Sequence, residues 1–298
     1  MTHVAVLATE AVASLRLKSD SVVIDCTLGS GGYADVILSE LGPAGKYLGI
    51  DADAAAITDN QRLATTSHAS VQLEHGNFRH IDVIAASAGI TEADAIVADL
   101  GWRIEQFTGE TNSPRGFSFQ RDEPLYMTYG DPATYPFTAQ DIVNDWAEED
   151  IANVIYAYGQ ERYARRIAKA IVQARETQFI ATSVALADIV RSAVPGSNRS
   201  RIHPATKTFQ ALRIAVNDEF DALAELIHTG FALLRPAGRL AIVTFHSLED
   251  RIVKQTFREL QRDQEGVLVH KKPITPTAEE RQVNPRARSA KLRTIEKL

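Results

Sequence analysis

The sequence is poor in the residues that build covalent and metal frameworks. Cys26 is the one cysteine among 298 residues, which excludes an internal disulfide and a cysteine-based zinc site. No H-x-x-x-H pair supports catalytic zinc, and no glycine-flanked nucleophile elbow surrounds Ser247 beside His246. No apolar run approaches membrane-spanning length, and no repeat or low-complexity tract occurs. The opening MTHVAVLATEAVASLRLKSD lacks the basic start and apolar core of a signal peptide. A cytoplasmic protein is therefore expected, with no membrane and no metal. Positive charge is short too: a net charge of −6 argues against indiscriminate coating of nucleic acid.

What is present organises around residues 22–51, VVIDCTLGSGGYADVILSELGPAGKYLGID. A β-branched run ends in Asp25 and breaks into Gly29-Ser30-Gly31-Gly32. An amphipathic stretch follows, and a second apolar run ends in Asp51. Strand, glycine turn, helix, strand and acid form a nucleotide-cofactor unit, with Asp51 as the ribose acceptor. Gly29-x-Gly31-x-x-Ala34 fits the loose dinucleotide fingerprint. The same unit fits S-adenosylmethionine (SAM), with Asp25 facing the amino-acid end. Both cofactors stay open at this point, as does a purely structural tight turn.

Apolar residues at 45% and charged residues at 23% give ordinary globular composition, enough for one large domain or two smaller ones. Helices are expected at 9–17, 53–64 and 79–88, and strands at 71–73 and 95–99, the last ending in Asp99. These units describe an α/β fold, an open parallel sheet whose crevice lies beyond the carboxyl ends of its strands. Residues 101–137 read as a long active-site loop. Residues 138–194 read as helices at 139–146, 149–158, 161–175 and 184–194. A long helix over 205–234 precedes a strand at 239–245, a helix at 248–260, and a closing strand pair at 266–270 and 290–295. An all-helical domain at 106–204 is thus inserted into a sheet domain built from 1–105 and 205–298. Ser247 and Asp250 have capping-box spacing at the head of the helix after residue 245.

Candidate functional residues follow the strand ends. Asp25, Asp51 and Asp99 converge on one crevice; Phe78 either covers an adenine or belongs to the core, and Gln106 either closes the cofactor's far side or is simply exposed. His203 opens a helix, either where phosphate is attracted or as part of an ordinary polar N-terminal segment. Basic residues gather at Arg162, Arg165, Arg166, Lys169 and Arg175, at Arg199, Arg201, Lys207 and Arg213, and at Arg286, Arg288, Lys291 and Arg293. Three such groups in an acidic chain point towards a polyanionic substrate.

Several strings together resemble one family, the MraW-type 16S ribosomal-RNA (cytosine-N4) methyltransferases. They include DCTLGSGG at 25–32, GNF at 76–78, DLG at 99–101, RGFSF at 115–119, YGQER at 158–162, HPATKTFQALRI at 203–214, FHSLEDR at 245–251 and NPRARSA at 284–290. They run in order over nearly the whole chain. The resemblance implies a Rossmann-like SAM-dependent methyltransferase sheet with an inserted RNA-recognition domain. It implies methyl transfer from SAM to N4 of a cytidine near the decoding centre, with 16S ribosomal RNA or the small ribosomal subunit as partner and a homodimer as an option. Its cofactor positions fall on Gly31, Gly32, Tyr33, Asp51, Phe78, Asp99 and Gln106, and Asp99 is the candidate catalytic residue. Trp102 or Tyr126 is placed to stack on the target base. The chain departs from the family's usual pattern at Tyr33, at Trp102-Arg103-Ile104-Glu105 and at Tyr126 and Thr128. Two other readings stand beside this one: an RNA-binding assembly factor with altered catalysis, and a nicotinamide-dependent oxidoreductase.

Overall fold

The computed structural model describes residues 5–101, 114–195 and 203–298. The chain divides into two compact units, residues 1–102 with 220–298 and residues 103–219.

The first unit begins with α1 (Ala8–Leu15), β1 (Val22–Asp25), α2 (Gly32–Glu40), β2 (Lys46–Asp51), α3 (Ala54–Asp59), α4 (Arg62–Thr66), β3 (Ser70–His75), α5 (Ile81–Ser87) and β4 (Ala93–Asp99). The helical unit contributes α6 (Ala139–Asp145), α7 (Glu148–Gly159), α8 (Ala164–Arg175), α9 (Ser183–Ala193) and α10 (Thr206–Asn217). The chain returns through α11 (Glu219–Leu233), β5 (Leu234–Thr244), α12 (Ser247–Arg262), β6 (Gly266–Leu268), α13 (Ala278–Val283) and β7 (Lys291–Lys297).

The seven strands form one sheet in the order β3-β2-β1-β4-β5-β7-β6. All pairs up to β5 are parallel, and β7 runs antiparallel to both β5 and β6. The strand order reverses between β1 and β4, which opens a crevice at their carboxyl ends. The inner strands are apolar on both sides, as a covered parallel sheet requires. Val23, Tyr47, Val97 and Val243 pack with α1 and α2 on one side. Ile24, Leu48, Ile96 and Ile242 pack with α5, α11 and α12 on the other.

The helical unit has its own core, including Ile142, Ile155, Ile167, Leu186, Val190, Phe209 and Leu212. A Cβ on Gly159 would sit 2.5 Å from the Lys207 carbonyl oxygen, so glycine is what lets α7 and α10 cross this closely. The expected helix over 205–234 is two helices, broken at Asp218 with φ +49. The boundary of the insert accordingly falls at Glu219 rather than at 204, because α10 buries Phe209, Leu212 and Val216 in the helical core. Arg213, near the end of α10, is buried and holds Glu219 in a two-pronged ion pair at 2.7 and 2.9 Å. His203 is a local cap: its Nδ1 accepts the Ala205 N–H at 3.2 Å and its ring stacks on Phe119 at 4.3 Å.

Candidate active site at the strand ends

Sheet register sets the level of each strand-end acid. Asp25 pairs with Gly49 and Val97, so Asp51 and Asp99 each lie two residues further along, about 7 Å beyond it. Past Asp25 the chain rises between its two neighbours. The Cys26 N–H donates to Val97 O at 2.8 Å and the Leu28 N–H to Ile50 O at 2.9 Å. Thr27 sits between these links, its Oγ1 accepting the Asp99 N–H at 2.7 Å. The Gly29 N–H donates to Asp51 Oδ2 at 2.8 Å, and the Asp53 N–H to Asp51 Oδ1 at 2.8 Å. Asp51 is therefore braced from both sides and only partly buried at the mouth of the crevice. A carboxylate held this way presents its acceptors to the two hydroxyls of a ribose.

Asp25 differs from the other two. It is fully buried, with Oδ2 accepting the Tyr47 hydroxyl at 2.8 Å and Oδ1 the Thr27 N–H at 3.1 Å. Burial pushes its pKa from 3.8 up to about 6; the Thr27 and Tyr47 hydrogen bonds oppose the rise and the nearby Asp51 charge adds to it. From the sequence Asp25 is expected to face the amino-acid end of a cofactor; in the structure its carboxyl is enclosed, with Tyr47 and Thr27 on its two oxygens. It stands behind the loop as a buried negative charge.

The loop glycines answer largely to the protein itself. Gly31 has φ +84, and a Cβ there would fall 2.4 Å from Asn60 Oδ1. A Cβ on Gly32 would fall 2.7 Å from the Ala5 Cβ. Asn60 clamps the turn, its Nδ2 donating to Gly29 O at 3.0 Å and to Ala56 O at 2.8 Å. Gly29, with φ +54, has room for a Cβ, whose nearest neighbour would be Thr27 O at an ordinary 3.7 Å. Tyr33 is buried and donates its hydroxyl to Val6 O, so its side chain belongs to the core. Burial, then the carboxylates of Asp99 and Asp25, push that hydroxyl's pKa well above its ordinary value.

Phe78 is half-buried at the start of a short 3-10 turn, Phe78–His80. The turn is tied to Asp51, because the Gly76 N–H donates to Asp51 O at 2.9 Å. Gln106 and Trp102 lie outside the described residues. Tyr126 is half-buried in the helical unit, whereas Thr128 is fully buried there with its hydroxyl on Gly130 O at 2.9 Å.

At the end of β5 the capping box sits one residue earlier than expected. His246 is the N-cap of α12: its Nδ1 accepts the Glu249 N–H at 3.3 Å, and Glu249 Oε2 accepts the His246 N–H at 3.2 Å. Asp250 is unavailable for that task because Lys291 and Arg293 hold it at 2.8 and 2.7 Å. Accepting through Nδ1 leaves Nε2 as the protonated nitrogen of a neutral His246. Thr27 and Asn60 were not singled out from the sequence. Each acts across strands or loops, where spacing carries no signal.

The sequence signature of the MraW methylase family matches residues 1–298. The chain belongs to the MraW methylase family. The relatives it resembles include proteins named ribosomal RNA small subunit methyltransferase H. That of Brevibacillus brevis is 41% identical over 313 residues, covering 99% of this chain and 98% of the relative. That of Methylobacterium nodulans is 43% identical over 312 residues, covering 99% and 90%. That of Clostridioides difficile is 37% identical over 314 residues, covering 99% of each. The crevice of this MraW-family chain suits a cationic cofactor. Asp51 and Asp99 stand at its strand ends with the buried Asp25 behind them, and Arg62 beside the loop is held by Asp35 at 3.2 Å. A sulfonium and an ammonium are attracted to such a site, whereas the diphosphate of a dinucleotide is repelled.

Proposed function

We propose that this chain methylates N4 of a cytidine in 16S ribosomal RNA near the decoding centre, with SAM as donor, in the cytoplasm. The observation that carries the reading is the family match over the whole chain, joined to a crevice with a braced Asp51 and a negative interior. SAM supplies a methyl group activated by its sulfonium. Cytosine N4 is a weak nucleophile, because its lone pair is delocalised into the ring.

The chain's own residues then have three tasks. Asp51, fixed between Gly29 and Asp53, orients the ribose and with it the cofactor, so that placement lowers the barrier. Phe78 lies beside it and covers the adenine. Asp99, its backbone pinned to Thr27, accepts the hydrogen bond of an N4 proton and helps the nitrogen rehybridise; the proton leaves with or after transfer. Gly31 and Gly32 hold the loop that frames this site, and Gln106 closes its far side. The target base leaves its stack to enter, and the helical unit holds the RNA through its backbone.

The test is transfer of labelled methyl from SAM to small-subunit RNA, naked and assembled, with the modified nucleotide mapped by mass. One methylated cytidine is expected. No transfer to either form, or thermal stabilisation by a nicotinamide dinucleotide and none by SAM, overturns the reading.

A further inference from the structure

The basic groups of the sequence separate sharply once their partners are known. In the second group Arg213 is buried against Glu219 at 2.7 Å. Lys207 donates to Gln160 O at 3.0 Å and lies 3.9 Å from Glu161. Arg199 and Arg201 fall outside the described residues. In the third group Lys291 and Arg293 are held by Asp250, Arg288 is exposed, and the side chain of Arg286 is outside those described. Even Arg175 of the first group is structural, its Nη1 donating to Val143 O at 3.1 Å and Trp146 O at 2.8 Å.

Four cations of the first group remain. Arg162 lies in the turn that leads into α8, and Arg165, Arg166 and Lys169 lie on the helix. All four are exposed. Among the described residues no ion pair engages them; Arg162 rests over the Tyr163 ring at 4.5 Å. Arg165 and Arg166 stand four and three residues before Lys169, so the three share one side of the helix. The opposite side is Ala164, Ile167, Ala168 and Ile171, all buried. No acid occurs anywhere on α8, ARRIAKAIVQAR. Glu161, the acid nearest in sequence, is buried with Oε1 on the Tyr163 N–H at 2.9 Å. Cations at the start of a helix oppose its dipole. Packing of α8 requires none of them, and the chain around them carries a net charge of −6. The stripe spans about 10 Å from Arg162 to Lys169 at helical rise.

We propose that Arg162, Arg165, Arg166 and Lys169 form the track that carries the phosphate backbone of the RNA substrate. The proposal rests on the RNA-methylation reading above and assigns the RNA-holding task of the helical unit to one side of one helix. The occupant is a polyanionic backbone because charge complementarity is what the surface offers: four exposed cations on a helix that carries no acid.

The test replaces all four by glutamine, a good helix former, in the full chain. A control variant replaces Arg258, Lys271, Lys272 and Arg281 by glutamine, exposed cations of the first unit. Small-subunit RNA binding is measured from 50 to 200 mM KCl, alongside steady-state methylation and sedimentation. The track variant is expected to show a salt slope lower by about 3 in log–log terms, near 0.7 per lost single-strand contact. Its KM for RNA should rise on the order of 10- to 100-fold, with kcat at saturating RNA and affinity for SAM unchanged. Wild-type RNA affinity and slope in the track variant overturn the proposal while leaving the methyltransferase reading intact. So does an equal loss in the control variant, which means diffuse attraction. A changed oligomeric state without a change in RNA binding also overturns it, making the face a contact between copies. If the slope falls as expected but wild-type protein transfers no methyl, the track stands and the reaction assignment falls.

Discussion

Asp25→Asn isolates the energetic cost of the charge behind the glycine loop. The carboxyl is wholly buried, and its pKa stands at about 6 against an ordinary 3.8. Between those values the folded protein keeps a proton that the unfolded chain has released, so stability falls as pH rises from about 4 to about 6. Below that window both states are protonated and nothing is lost. Above it both are ionised, and the folded state carries a penalty of about two pH units, or about 3 kcal/mol at 1.36 kcal/mol per unit. Asparagine reproduces the neutral form. Its oxygen accepts the Thr27 N–H and its amide donates to the Tyr47 hydroxyl, which turns to accept. The variant should therefore be more stable than wild type, by about 1 kcal/mol at pH 4.5 and about 3 kcal/mol at pH 7.5. Urea unfolding at four pH values in that range measures it, provided both chains give coincident transitions by two probes. A difference that does not grow with pH, or a variant less stable throughout, refutes the assignment of a buried, raised carboxyl.

Other substitutions probe the rest of the crevice. Asp51→Ala should weaken SAM binding at least ~10-fold by calorimetry, since it removes both acceptors of a charge-assisted diol contact; unchanged affinity would remove the ribose role. Asp99→Asn should slow single-turnover methylation on the order of 10²-fold and leave SAM affinity within a few-fold, and a wild-type rate would strike it as the acceptor. Gly31→Ala forces a side chain into φ +84 and onto Asn60. It should cost about 1–3 kcal/mol of stability, read as a lowered Tm.

Much of the sheet was legible because its strands are buried on both sides. VVID, KYLGID and ADAIVAD are short apolar runs ending in an acid, and few other structures produce that pattern. The helices of the insert were legible from their 3.6 period. The break at Asp218 was not, since the apolar pattern continues through it and the left-handed residue there is not a glycine. Helix α13 escapes a reading from sequence because it has no buried side of its own. Among the acids, Asp25 and Asp51 look alike in sequence. A tyrosine on the neighbouring strand turns one inward, and two backbone N–H groups hold the other at the rim. Such differences live in cross-strand partners, which a linear string does not display.

The two ends of the chain are sewn to each other. Glu280 reaches back to the Leu7 N–H at 2.8 Å, Ser14 meets Thr294 at 2.9 Å, and Arg239 donates to Ser14 O at 2.6 Å. A nascent chain that has emerged as far as residue 233 therefore owns every described helix of the inserted unit, yet only four of its seven strands. At that moment β4, whose Ala95, Ile96, Val97 and Ala98 end up wholly enclosed, is a bare edge open to other chains. The helical unit is complete early and the sheet unit late, so the hazard of aggregation during synthesis falls on β4 until β5 arrives to cover it.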